Sequence, residues 1–403
     1  MAHAADTHKE SYLKSLITYN KDIPAIPFIL LGLALCAVGG ITAIMVFVNG
    51  HAEMYNVTRQ VSWGLLISTY AYFVITSTGI AFIGGLGHAF GFEKYAMISR
   101  RIVVLATIVL LAGFTQILME LGNPLKMIYM MITPNFKAPI FWMGMFYGVE
   151  LVILAVELFL IFKPNQTKAD HKLAAVAGFL ALLVGVLATS NLGFVFGSLN
   201  ARPWFHGIHF STFLVVSGIT GGAALLILIH NIVYKFNVPS RLQPSMASLG
   251  KLMGGGIGVM IFLYLWKMIT SIFNMPGDAY LSALSLIKGQ LAAGFWIGEM
   301  GLAIIIPLVL IVFAKGNPKT LALAGFVFLI GLFFTRYNYV VAGQLPPMRE
   351  GLPGSGVETN AMGLLAYSPS VSEWLIFALG FGVFFLLYFA AEKFLDLETK
   401  DHH

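Results

Sequence analysis

IFWMGMFYGVELVILAVELFLIF, residues 140–162, is the stretch on which the reading of this chain turns. About 20 residues at a rise of about 1.5 Å cross a hydrocarbon core of about 30 Å. The run is apolar on every side except at Glu150 and Glu157. Each carboxyl inside lipid costs roughly 2.5–3.5 kcal/mol or more at mid-depth, so such residues tend to have a function. Seven positions make nearly two turns, which puts both on one face about 10 Å apart along the axis. Carboxyls so placed can relay protons through internal water, or they can be neutral, hydrogen-bonded struts.

Outward from this run the pattern repeats. Apolar stretches lie at about 28–48, 61–83, 102–121, 172–190, 208–233, 253–274, 293–313, 320–340 and 373–395. Hydrophobic residues form 58% of the chain and charged residues 10%, which no soluble domain of this length could hide. Backbone groups in lipid must be satisfied within the segment. The expected fold is therefore an all-α integral membrane protein with ten transmembrane helices. Lys and Arg collect in the N-terminal segment, in the loops after spans 2, 4, 6 and 8, and near the C-terminus. That bias predicts both termini in the cytoplasm. The net charge of +6 sits in short loops with no basic run, which argues against nucleic-acid binding. No cleaved signal peptide is expected. The one cysteine, Cys36, excludes an intramolecular disulfide and an all-cysteine iron–sulfur cluster held by this chain alone.

Phe141-Trp142-Met143-Gly144 opens span 4, and Phe295-Trp296-Ile297-Gly298 opens span 8. The shared FWxG tetrad suggests two related four-helix bundles, spans 2–5 and 6–9, with spans 1 and 10 flanking. Interfacial tryptophans alone could produce the same signal. The expected organisation is a cytoplasmic segment 1–27, span 1 and an outer loop over 28–60, the first bundle over 61–207 and the second over 208–340. An outer loop over 341–372 follows, then span 10 and a cytoplasmic tail over 373–403. The long outer loop either docks a partner or packs on its own protein.

Three more charges lie inside spans: Lys267, Glu299 and Arg336, at similar heights in spans 7, 8 and 9. An ion-pair cluster would lower their burial cost and clamp the second bundle. The outer ends of spans 3–6 gather Glu120, Asn135, Lys137, Trp142, Tyr147, Asn191, Arg202, Trp204, His206 and His209. Aromatic walls, donors and titratable groups are what a quinone ring and its two carbonyls require. The alternative for each is an interfacial anchor. No span carries two histidines at a spacing suited to a haem stack, so haem is not expected, and no metal ligand set is expected.

The chain resembles the NrfD/PsrC family, the membrane subunits of polysulfide-reductase-type complexes. The resemblance runs from span 2 to span 10. It rests on MELGNP at the end of span 3, on residues 137–158, on NLGFVFGSLNARPWFHG (191–207), on FWIGEMGLAIIIPLVL (295–310), and on RYNYVVAGQLPP with YSPSVSEW after it. Ten spans are similar to the longer branch that includes HybB and DsrP. The resemblance implies a quinone, menaquinone or ubiquinone, as redox partner in the lipid. It also implies a periplasmic ferredoxin-like iron–sulfur subunit, further redox subunits of molybdopterin, hydrogenase or cytochrome c type, and residence in the cytoplasmic (inner) membrane. Within that frame Glu120 and His206 are candidates for proton exchange. Trp142, Tyr147, Asn191, Arg202 and His209 are candidates for lining the quinone pocket, and Glu150 and Glu157 for a proton pathway. Some relatives have a histidine where this chain has Ser190-Asn191, which leaves the proton acceptor open. The rival readings are a secondary transporter, which would need broken helices near mid-depth, and a purely structural anchor.

Overall fold

Helix starts are written in local side chains. Thr167 and Asp170 form a reciprocal capping box, as do Ser370 and Glu373. Pro139 and Pro318 stand in first turns, where their missing N–H costs nothing. The computed structural model describes residue 20 and residues 22–164, 166–275, 277–348 and 358–398. Most of the predicted N-terminal segment, part of the long outer loop and the end of the C-terminal tail lie outside the described residues.

Ten helices are long and apolar enough to cross a membrane. They are α1 (Ile26–Asn49), α2 (Leu65–His88), α3 (Ser99–Glu120), α4 (Pro139–Phe162), α5 (Lys168–Gly197), α6 (His209–Val233), α7 (Gln243–Ile272), α8 (Gly294–Ala314), α9 (Pro318–Ala342) and α10 (Val371–Phe394). The chain is an all-helical, multi-pass membrane protein, as its hydropathy predicts. The start of α1 and the end of α10 lie on one face, here called the terminal face; the opposite one is the far face.

Helices α2–α5 pack as one four-helix bundle and α6–α9 as another. Between them runs α2, buried along nearly its whole length and packed on α3, α5 and α6. Here α2 and α6 touch backbone to backbone. A Cβ on Gly79 would collide with the Gly218 carbonyl, and one on Gly222 would meet the Gly79 carbonyl carbon at 2.5 Å. Small residues permit such approach where lipid offers no hydrophobic drive to association. Helix α1 packs on α10, which packs on α3.

Three features differ from the sequence reading. Helix α5 runs on to Gly197, so the first half of the segment read as an outer loop is helical. Leu192 and Phe196 are buried there, and Phe196 packs on Trp63, Phe205 and Phe210. A ten-residue helix, Asp278–Ile287, lies between α7 and α8 and buries Ala279, Ala283 and Leu286. Finally, α8 is a π-helix over Gly294–Ile305, before Pro307, which has no N–H to give to its upstream ladder. Its winding is wide, yet neither it nor any other span among the described residues unwinds, which is the feature a transporter reading requires.

Candidate functional site

The carboxyls of α4 both point into the first bundle. At the terminal face, Glu157 accepts from or shares a proton with His88 at the end of α2, with Oε1 and Nδ1 2.7 Å apart. Gly178 on α5 makes room: a Cβ there would stand 3.1 Å from the His88 Cβ and 3.2 Å from Glu157 Oε1. His88 borders a cavity of about 330 Å³, with Arg100, Gln166, Asp170 and His171 among its other walls. Deeper, Glu150 is 0% exposed. Its Oε1 accepts from Thr78 Oγ1 at 3.4 Å, and its Oε2 has no partner among the described residues. One turn further, the buried Tyr147 hydroxyl stands 3.5 Å from Thr189 Oγ1, with the Tyr70 ring edge-on at 6.2 Å. The two-turn spacing thus becomes a line of polar groups from the terminal-face cavity to mid-depth.

Arg336 meets this line from the second bundle. Its Nη2 donates to Ser217 Oγ at 2.7 Å, while Nε and Nη1 have no partner among the described residues. Tyr147, Glu299 and Tyr72 all lie within its electrostatic reach. Glu299, carried by the π-helix, accepts from Asn338 Nδ2 at 3.1 Å. Asn338 Oδ1, Tyr339 Oη and His209 Nε2 are further buried atoms without partners there. Buried orphans this numerous call for internal water, which needs two to four polar partners per molecule.

The expected ion-pair cluster of Lys267, Glu299 and Arg336 does not form: no ion pair within 4 Å joins them among the described residues. Lys267 turns instead to the far face. Its Nζ donates to the Trp204 carbonyl and lies 4.8 Å above the Trp204 ring. The helix heights match, and Arg336 and Glu299 stay within electrostatic reach of each other, but Lys267 is turned away from both.

The far-face candidates are dispersed. Glu120, at the end of α3, groups with Tyr55 and Glu373. The Tyr55 hydroxyl donates to the Met119 carbonyl at 3.0 Å, and burial together with the two carboxyls pushes its pKa above the ordinary tyrosine range. His206 is exposed on the far surface and shares a recess with Lys267 in the second bundle. The structure therefore does not bring Glu120 and His206 to one site. Arg202 donates to the carbonyls of Gln344 at 3.1 Å, Pro346 at 2.6 Å and Gln60 at 2.7 Å. It staples loops, and burial lowers its proton affinity. Asn191 Nδ2 donates to the Pro139 carbonyl at 2.8 Å and ties α5 to α4. Trp142 is 39% exposed and donates to the Phe136 carbonyl at 2.9 Å, among the rings of Phe136, Phe141 and Phe146. His209 stacks on Phe213. The described part of the long far-face loop packs on its own protein. Gln344 bonds the Trp63 backbone in both directions, and Tyr367 donates to Glu373.

A family model for NrfD polysulphide reductase matches residues 53–347. The chain belongs to that family. A selenate reductase subunit from Mesobacillus selenatarsenatis is 24% identical, over 91% of this chain and 93% of the relative. Protein NrfD of Escherichia coli is 23% identical, over 70% of this chain and 95% of that protein. The matched region contains both bundles and every residue of the buried polar line. His88, Tyr70, Thr78, Ser217 and Asn338 were not singled out from sequence as site residues. For His88 a signal existed, since the end of span 2 falls at the same depth as Glu157.

Proposed function

We propose that this NrfD-family chain is the quinone-reactive membrane subunit of a multisubunit oxidoreductase. In this reading both termini are cytoplasmic and the far face is periplasmic. Electrons pass between the quinone pool and an iron–sulfur subunit docked on the far face. The name of the selenate reductase relative supports membership in a reductase complex. The observation that carries the reading is Tyr147. A buried hydroxyl with only a long contact to Thr189 among the described residues lies three positions along α4 from Glu150, whose Oε2 is unpartnered there, and five from Trp142 in its partly exposed aromatic group. An aromatic approach, a hydroxyl donor and a carboxyl within one turn fit a quinone headgroup.

The quinone supplies two-electron chemistry linked to proton uptake or release at its carbonyl oxygens. The chain's part is to position and to move protons. Tyr147 offers its O–H to a carbonyl. Glu150 holds or takes up the proton, and the Glu157–His88 pair connects it to the terminal-face cavity. The short segment Met127–Ile132 lies over the outer end of α4, where Met130 Cε packs against Gly144. It exposes Ile128, Tyr129 and Ile132. Glu120, on the α10 side, serves the far-face end of proton exchange.

Titration of the purified complex with the fluorescent quinol analogue 2-heptyl-4-hydroxyquinoline N-oxide tests the site. Saturable quenching that Tyr147→Phe weakens is expected, and unsaturable quenching alone would remove the proposal. Glu157→Gln in proteoliposomes should lower proton movement per electron, and an unchanged ratio would leave the carboxyls as struts.

A further inference from the structure

The recess beneath His206 has no part in the quinone reading. It opens at the far face with a volume of about 500 Å³, between the 198–208 connection and the outer end of α7. Lys267, Ser271, Asn274 and His206 line it. Lys267 is 8% exposed. A lysine near a helix end ordinarily extends its ammonium to the interface. Here the ammonium points toward the far face but is covered by Trp204, 1% exposed, where a carbonyl and a ring face are its contacts. No carboxylate stands within ion-pair distance among the described residues. A buried cation without a counter-charge is costly, and the ammonium retains donors beyond the one Trp204 uses.

The surroundings identify what supplies the anion. Lys267 lies five residues before the end of α7, about 7 Å below it, at the depth where headgroups meet acyl chains. Phe273, 84% exposed, forms the lip of the recess, and from there Trp266 and Phe262 continue down the outward face of α7, about 100–140° around the helix from Lys267. That apolar strip suits acyl chains running down from a headgroup held in the recess. Among the described residues, no acidic side chain lines the recess to meet a headgroup ammonium. We propose that this recess is a binding site for an anionic glycerophospholipid, with its phosphodiester on Lys267 and Ser271 and its acyl chains along the outer face of α7. The bound lipid neutralises the buried cation and holds the 198–208 connection, and with it the Arg202 staple, against α7.

Native mass spectrometry of the complex, after exchange into dioleoylphosphatidylglycerol or dioleoylphosphatidylcholine, tests the assignment. Phosphatidylglycerol should stay bound at activation energies that strip phosphatidylcholine. Lys267→Gln should weaken its retention about tenfold, equivalent to about 1.4 kcal/mol, while Lys267→Arg preserves it. Ser271→Ala provides a second, smaller loss should the lysine variant fail to assemble. Equal retention of the two lipids, or retention unchanged in a folded Lys267→Gln complex, overturns the proposal. Loss of a partner subunit from that variant with lipid retention intact also overturns it, because the lysine would then serve a protein carboxylate. None of these readouts depends on quinone turnover.

Discussion

The two bundles begin from the same words and end in different chemistry. Phe141 and Phe295 are both buried. Trp142 and Trp296 are 39% and 55% exposed, and each donates its indole N–H to a carbonyl of the preceding segment, Phe136 at 2.9 Å and Ile287 at 3.1 Å. The FWxG tetrads are therefore equivalent anchors. Beyond them the helices diverge. Helix α4 keeps its α winding and stacks Glu150 and Glu157 on one buried face, ending at a terminal-face cavity. Helix α8 widens into a π-helix and carries a single carboxyl, Glu299, held by Asn338 beside Arg336. The pair of carboxyls in line with a cavity is the arrangement proposed above as a proton route; the single carboxyl beside a cation carries no part of that proposal.

That comparison can be broken at several points. The bundles share the α2–α6 contact, so Gly79→Leu should cost about 3 kcal/mol or more by overpacking, seen as loss of the folded protein in detergent thermal scans. Gly148→Ala, with nothing within 4 Å of its added Cβ, should be close to neutral. If both behave alike, the close approach does not hold the bundles together. Next, Glu150→Gln should lower quinol-linked turnover about 100-fold, the lower range for loss of an acid–base group, whereas Glu299→Gln should cost less than this. Equal losses would erase the functional division between the bundles. Arg202→Lys removes the fork that reaches three carbonyls and should cost about 2 kcal/mol of thermal stability, from hydrogen bonds worth about 1 kcal/mol each. The smallest expected effect sharpens the echo: Trp142→Phe and Trp296→Phe should each cost about 1 kcal/mol for one lost hydrogen bond, and equally so.

The spans were legible because lipid imposes one rule, internal satisfaction of every backbone group, and apolar length reports it directly. The seven-residue spacing of Glu150 and Glu157 likewise survived into the structure, because a helix fixes angle and rise between residues of the same segment. Relations between segments were not legible. Lys267, Glu299 and Arg336 share a height, which hydropathy conveys, but Lys267 points away from the other two toward Trp204, which nothing along the chain records. Arg202 has the charge of a ligand-binding residue, and only the carbonyls that converge on it from distant loops make it a staple. His88 acquires its role from a carboxyl 69 positions away.

Sequence by itself therefore determined the class of the protein, its ten crossings, and the face on which the two carboxyls of α4 stand, since these follow from the solvent and from helical geometry. Tertiary structure alone decided which polar atoms and which buried cation are left without partner or counter-charge among the described residues, and that His206 and Glu120 belong to separate neighbourhoods. Those depend on side-chain rotation and on contacts between distant segments, where packing rather than local pattern selects the neighbour.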